Sequence, residues 1–114
     1  MFLDLRSLYD FPGVEMSKSE RDELFIDKIC FMHGFRTKLG DHARHNGCNT
    51  VTGHSHRGGV VYMRLGKKTI WEANAGTICD EASEPLSYTR QSKLSTVTQG
   101  CTLIDHLGAR FVAF

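Results

Sequence analysis

Six histidines stand among the 114 residues, and three of them are placed where imidazoles could share a ligand. His54 and His56 are one residue apart, directly after the β-prone Asn49-Thr50-Val51-Thr52. His33 closes the apolar run Ile29-Cys30-Phe31-Met32 and precedes Gly34. Residues two apart in a strand share a face, so strand geometry continued past Thr52 would project His54 and His56 together. Gly53 and the pair Gly58-Gly59 would let the loop turn tightly around a small bound object. Neutral imidazole is the commonest protein metal ligand, and two convergent rings plus a third suit Zn, Mn, Fe or Ni. Each signal also has a plainer reading. His33 alone reads as a hydrogen-bonded residue at a strand end, and His-x-His alone reads equally well as surface loop. Their coincidence at strand ends beside glycines favours His33, His54 and His56 as a ligand set. His42 and His45, three apart on a short helix, share a face that reads as solvated. Nothing singles out His106.

The elements that would carry these residues follow from local pattern. Leu3, Leu5, Leu8 and Tyr9 fit a short helix ending before Pro12-Gly13, and Ser17-Lys18-Ser19-Glu20 reads as a turn or helix start. Two apolar runs, Leu24-Phe25-Ile26 and Ile29-Cys30-Phe31-Met32, flank Asp27-Lys28 and suggest either a hairpin or two buried strands. Residues 38–46 fit a short amphipathic helix with Leu39 and Ala43 four apart and Gly47 as its C-cap. A second hairpin is predicted for residues 60–72 around Gly66-Lys67, and a third at the C-terminus around Leu107-Gly108. Residues 80–96 are polar and turn-rich and read as a long surface loop. The class is α+β, strand-rich with one or two short helices, in a single domain over residues 1–114.

Composition narrows the partners. Fourteen Lys and Arg against thirteen Asp and Glu give a net charge of +1, too small for a general attraction to nucleic acid or acidic membrane. Hydrophobic residues make up 40%, which argues against disorder. No stretch approaches the ~18 consecutive apolar residues of a membrane span. The opening Met1-Phe2-Leu3-Asp4-Leu5-Arg6 lacks the basic and apolar regions of a secretory signal, so the expected location is cytoplasmic. Cys30, Cys48, Cys79 and Cys101 form no Cys-x-x-Cys pair and read as reduced, mostly buried thiols rather than two disulfides.

Phe31-Met32-His33-Gly34, followed some twenty residues later by Gly53-His54-Ser55-His56-Arg57, resembles the last two motifs of the calcineurin-like metallophosphoesterases. That family carries Asp-x-His, Gly-Asp, Gly-Asn-His, a strand-end His-Gly and Gly-His-x-His in that order. Glu72-Ala73-Asn74-Ala75-Gly76 is similar to the Asn/Gly stretch that follows the last motif in bacterial and phage members. The resemblance covers about residues 24–110. It implies the strand-rich C-terminal half of a metallophosphoesterase-type β-sandwich. It also implies hydrolysis of phosphate mono- or diesters, nucleic acid or nucleotides among them, at a binuclear centre. His33 and His54 would ligate one metal, His56 the other, and Arg57 would meet phosphate oxygens. The first three blocks are absent ahead of His33, and Gly40-Asp41-His42 mimics a Gly-Asp block out of order. The missing carboxylate and Asn ligands are therefore expected from a complementing N-terminal chain. A homo-oligomer is the other arrangement that would cover the exposed half-domain surface. The alternatives are a non-catalytic metal-binding remnant and a small β-rich interaction module.

Overall fold

The computed structural model describes residues 12–14, 19, 21–78 and 97–114. The expected helix over residues 3–9, the loop over residues 80–96 and Cys79 lie outside the described residues, as do Ser17, Lys18 and Glu20. Ser19 closes a turn in which its carbonyl accepts the Asp22 N–H at 3.1 Å.

The described chain is strand-rich α+β, with one mixed sheet, one small sheet and one short helix. Its elements in order are β1 (Leu24–Ile26), β2 (Ile29–Phe31), α1 (Asp41–Asn46), β3 (Thr50–Thr52), β4 (Gly59–Leu65), β5 (Lys68–Asn74), β6 (Gly100–Asp105) and β7 (Gly108–Ala113). Strands β1-β2-β3-β5-β4 form the five-stranded sheet in that order, and β6-β7 form a separate hairpin. All three predicted hairpins are present. In the first, Asp27 and Lys28 both take positive φ, 50° and 65°, the backbone of a two-residue turn matched to strand twist. The C-terminal turn falls on His106-Leu107, one residue earlier than the pattern indicates, and Gly108 opens β7 opposite Asp105.

Strands β2 and β3 are parallel, with α1 as the crossover between them, and β3 is in turn parallel to β5. This arrangement brings the C-terminal ends of β2 and β3, and so His33 and His54, side by side. Helix α1 lies against β5, which caps it at both ends. The Lys68 ammonium donates to the Gly47 carbonyl at 2.8 Å, at the helix C-terminus where a cation opposes the helix dipole. At the other end the Glu72 carboxylate accepts the Gly40 N–H and, at 3.0 Å, the Ala43 N–H.

The opposite face of β5 is apolar. Trp71 and Ala73 pack with Ala109 of β7, flanked by Ile29, Val51 and Val60. The Tyr62 hydroxyl ties the hairpin to the sheet by donating to the Ala109 carbonyl at 2.8 Å and accepting its N–H at 2.9 Å. Cys30, Cys48 and Cys101 are free thiols, but of these only Cys30 is buried as expected, Cys48 and Cys101 being partly exposed; burial pushes the Cys30 thiol up to about 11. No helix among the described residues is long and apolar enough to cross a membrane.

Candidate metal centre

His33 and His54 meet at the ends of β2 and β3. Their rings lie edge to face, with centroids 5.2 Å apart and planes at 67°. The backbone holds them there, because the His33 carbonyl accepts both the Gly53 and the His54 N–H at 3.0 Å. Both side chains are exposed. Two imidazoles bound to one ion at ~2.1 Å per nitrogen put their ring centroids roughly 4.5–5.3 Å apart, a range that includes the observed separation.

The His33 ring is also set in tautomer. Its Nδ1 lies 2.8 Å from the Gly34 carbonyl oxygen. A carbonyl only accepts, so Nδ1 carries the proton and the neutral ring keeps its lone pair on Nε2. Metal-bound histidines usually have this pattern, one nitrogen donating to a carbonyl or carboxylate and the other left for the ion.

The strand alternation expected to align His54 with His56 does not occur. Strand β3 ends at Thr52, and residues 53–56 form a turn in which the His56 N–H donates to the Gly53 carbonyl at 2.9 Å. His56 itself has φ 57°, outside strand geometry. The turn is anchored on three sides. The buried Asn74 amide donates to Ser55 Oγ at 2.9 Å. The His56 carbonyl accepts the Thr98 N–H at 2.9 Å. At Gly58 any Cβ would collide with the Phe111 ring. That glycine therefore makes room for a side chain of the protein itself, and not for a bound object as its position implied. Arg57 is exposed, and its N–H donates to Ser55 Oγ at 3.4 Å.

His42 is a second correction. It shares no solvated face with His45: His45 is exposed, whereas His42 is 3% exposed. Its Nε2 accepts the backbone N–H groups of Phe35 and Arg36, each at 3.1 Å. Its Nδ1 lies 3.3 Å from Glu72 Oε1 and donates to it. Burial holds the His42 pKa below its ordinary value, against the pull of the neighbouring Glu72 carboxylate. The Gly-Asp block mimicked by Gly40-Asp41-His42 is thus the entry to α1, with Gly40 left-handed at φ 104° and His42 turned inward.

Sequence reasoning assigned no structural role to Glu72 and Asn74, which are 1% and 4% exposed. The available signal was their place in the apolar stretch Ile70-Trp71-Glu72-Ala73-Asn74. A strand covered on both faces must give every polar side chain a partner.

Two exposed imidazoles thus meet at the strand ends. Among the described residues no group of three or more His, Cys, Asp or Glu side chains converges closely enough to hold a metal ion. Comparison of the chain with family models, with curated proteins and with solved structures found no match in any of the three.

Proposed function

We propose that His33 and His54 form the imidazole part of a divalent-metal site of the metallophosphoesterase type, and that the chain serves phosphoester hydrolysis by contributing them. The observation that carries this reading is the ring pair itself, two exposed imidazoles 5.2 Å apart on adjacent parallel strand ends. The βαβ arrangement that delivers both, and the order His-Gly then Gly-His-x-His, support it. The described domain would then be the strand-rich C-terminal half of a β-sandwich of that family.

In this reading His33 offers Nε2, its Nδ1 proton being engaged by the Gly34 carbonyl. His54 offers the second imidazole. His56, at the end of the 53–56 turn, serves a second metal position, and Arg57 supplies an exposed cation for phosphate oxygens. A bound Mn, Zn, Fe or Ni ion supplies Lewis acidity toward the phosphoryl group and lowers the pKa of water. The carboxylates of a complete site come from a complementing chain bearing Asp-x-His and Gly-Asn-His. Substrates are phosphate mono- or diesters, nucleotides and nucleic acid among them.

The lack of a third converging donor among the described residues favours a second reading, a metal-binding remnant without turnover. Elemental analysis after dialysis against Mn or Zn separates the cases. The first reading expects bound metal in the wild type, its loss in His54→Ala, and Mn-dependent phosphodiester hydrolysis on mixing with the complementing chain. Metal without turnover in that mixture leaves the remnant. Equal metal content in wild type and His54→Ala removes both.

A further inference from the structure

The buried His42–Glu72 pair and the exposed His33 ring are joined through a single peptide unit. The carbonyl of Gly34 and the N–H of Phe35 belong to the same planar group, and in a trans peptide they point in opposite directions. His42 Nε2 accepts the Phe35 N–H at 3.1 Å, and His33 Nδ1 donates to the Gly34 carbonyl at 2.8 Å. Fixing one edge of the plane fixes the other. His42 Nε2 also takes the Arg36 N–H, so two successive peptides are held against the one imidazole.

The His42 ring is itself fixed by what it meets. Two N–H donors on Nε2 require that nitrogen to be unprotonated, so Nδ1 carries the proton and faces Glu72 Oε1 at 3.3 Å. Glu72 cannot swing away, because its carboxylate also receives the Gly40 and Ala43 N–H groups at the start of α1. Gly34 completes the arrangement. Its φ of 91° is one that a side chain rarely adopts, and a Cβ there would press on the His42 ring and on Thr52 at 3.3 Å.

We infer that Glu72 and His42 are positioning residues for the metal centre, setting the tautomer and orientation of His33 through the Gly34–Phe35 peptide so that Nε2 stays free to bind a cation. The inference rests on the metal-site reading, but its first readout does not need a metal. The effect is local polarity passed along a hydrogen-bonded chain from the centre of β5 to the end of β2. Partners of this kind around metal-bound histidines commonly set affinity by ~10–100-fold.

The test uses the full chain, uniformly labelled with nitrogen-15, in wild type, His42→Leu, His42→Gln and Tyr62→Phe. Tyr62→Phe removes a part-buried tie to the C-terminal hairpin on the opposite face of the sheet and serves as the control for lost stability alone. Two-bond proton–nitrogen spectra of the imidazoles report which His33 nitrogen is protonated. The wild type and Tyr62→Phe are expected to hold the proton on Nδ1. His42→Leu is expected to give a tautomer mixture, and His42→Gln, whose amide can both accept and donate, to restore the Nδ1 form in large part. Zn titration against a competing chelator is expected to show ~10–100-fold weaker binding in His42→Leu than in the control. A folded His42→Leu with His33 still wholly on the Nδ1 form overturns the inference. Where His42→Leu does not fold, Glu72→Gln is read in the same way. Absence of Zn binding in the wild type removes the metal-site reading, whereas the tautomer result still decides whether His42 governs the His33 ring.

Discussion

Strand β5 presents Trp71 and Ala73 to the C-terminal hairpin and Ile70, Glu72 and Asn74 to helix α1 and the 53–56 turn. Both faces are buried, yet they are held by different physics. On the hairpin side the contacts are apolar area against apolar area, which stabilises without fixing direction. On the helix side Glu72 and Asn74 make named bonds to Gly40, Ala43, His42 and Ser55, and each bond has an angle to keep. The first face keeps the domain together. The second aims the backbone segments that carry His33 and His54. A site made of side chains at strand ends needs both, because packing alone tolerates small shifts that a metal-binding geometry does not.

Exchanging the chemistry of one face for that of the other should break this contrast most clearly. Trp71→Phe keeps the apolar character of its face, leaves a small cavity, and is expected to cost about 1–2 kcal/mol, below the loss for truncation to Ala. Glu72→Leu is similar in bulk but leaves the Gly40 and Ala43 N–H groups and His42 Nδ1 without a partner. It is expected to cost ~3–5 kcal/mol, since three buried donors lose their acceptor at about 1–3 kcal/mol each, and so to approach the whole stability of a domain this size. Urea denaturation of the two variants tests the ordering. A Glu72→Leu protein as stable as Trp71→Phe would show that the helix side is held by packing after all.

Asn74→Ala probes the same polar face at its other end. It removes the amide bonded to Ser55 and the side-chain oxygen that accepts the Gly76 N–H at 2.9 Å. The expected cost is ~1–3 kcal/mol. The sharper expectation is local, since amide exchange at residues 53–57 should accelerate by more than at β6 and β7. Uniform acceleration would mean that Asn74 contributes general stability and does not hold the turn.

The polar face also carries a pH dependence that the apolar face lacks. His42 is neutral in the folded protein, with its pKa lowered below the ordinary 6.5 by burial, and it is met by Glu72 from β5, Arg36 from the loop and Asp41 on its own helix. Below pH ~6.5 the unfolded chain binds a proton at this position that the folded chain refuses, so unfolding takes up a proton. The contribution of His42 is fully present above that pH and is lost as pH falls from it toward the lower folded value. The slope is at most ~1.4 kcal/mol per pH unit. His42→Gln is expected to flatten the difference in stability between pH 7.5 and 5.5 relative to wild type, and an unchanged slope would place a charged imidazole in the fold.

These two faces also mark what the sequence made legible. The three hairpins, the short helix and its Gly47 cap could be read from local pattern, because turn glycines, apolar runs and caps act within a few residues. The meeting of His33 and His54 depended on two strand-end motifs and is found in the fold. The alternation argument for His54 and His56 failed because β3 stops at Thr52, where two N–H groups converge on the His33 carbonyl. His42 was misread because helical spacing says which residues share a face but not what covers it. Its partner Glu72 is thirty residues away, a separation local patterns do not span. Gly58 looked like a ligand loop because the ring that occupies its space, Phe111, belongs to the last strand.

The smallest expected effect on stability belongs to the residues with the largest proposed role. His33 and His54 are exposed, and their contact is one ring pair at the edge of the fold. His54→Ala should therefore change unfolding free energy by within ~0.5 kcal/mol, as exposed substitutions usually do. His33→Ala loses only the bond from Nδ1 to its neighbour's carbonyl and should cost ~1 kcal/mol or less. If either variant instead loses several kcal/mol while metal binding is unchanged, the pair is a piece of structure like His42 and Glu72. If both stay folded and lose metal, the imidazoles are kept at the surface at little energetic cost. The buried polar face of β5 then bears the constraint that sets their geometry.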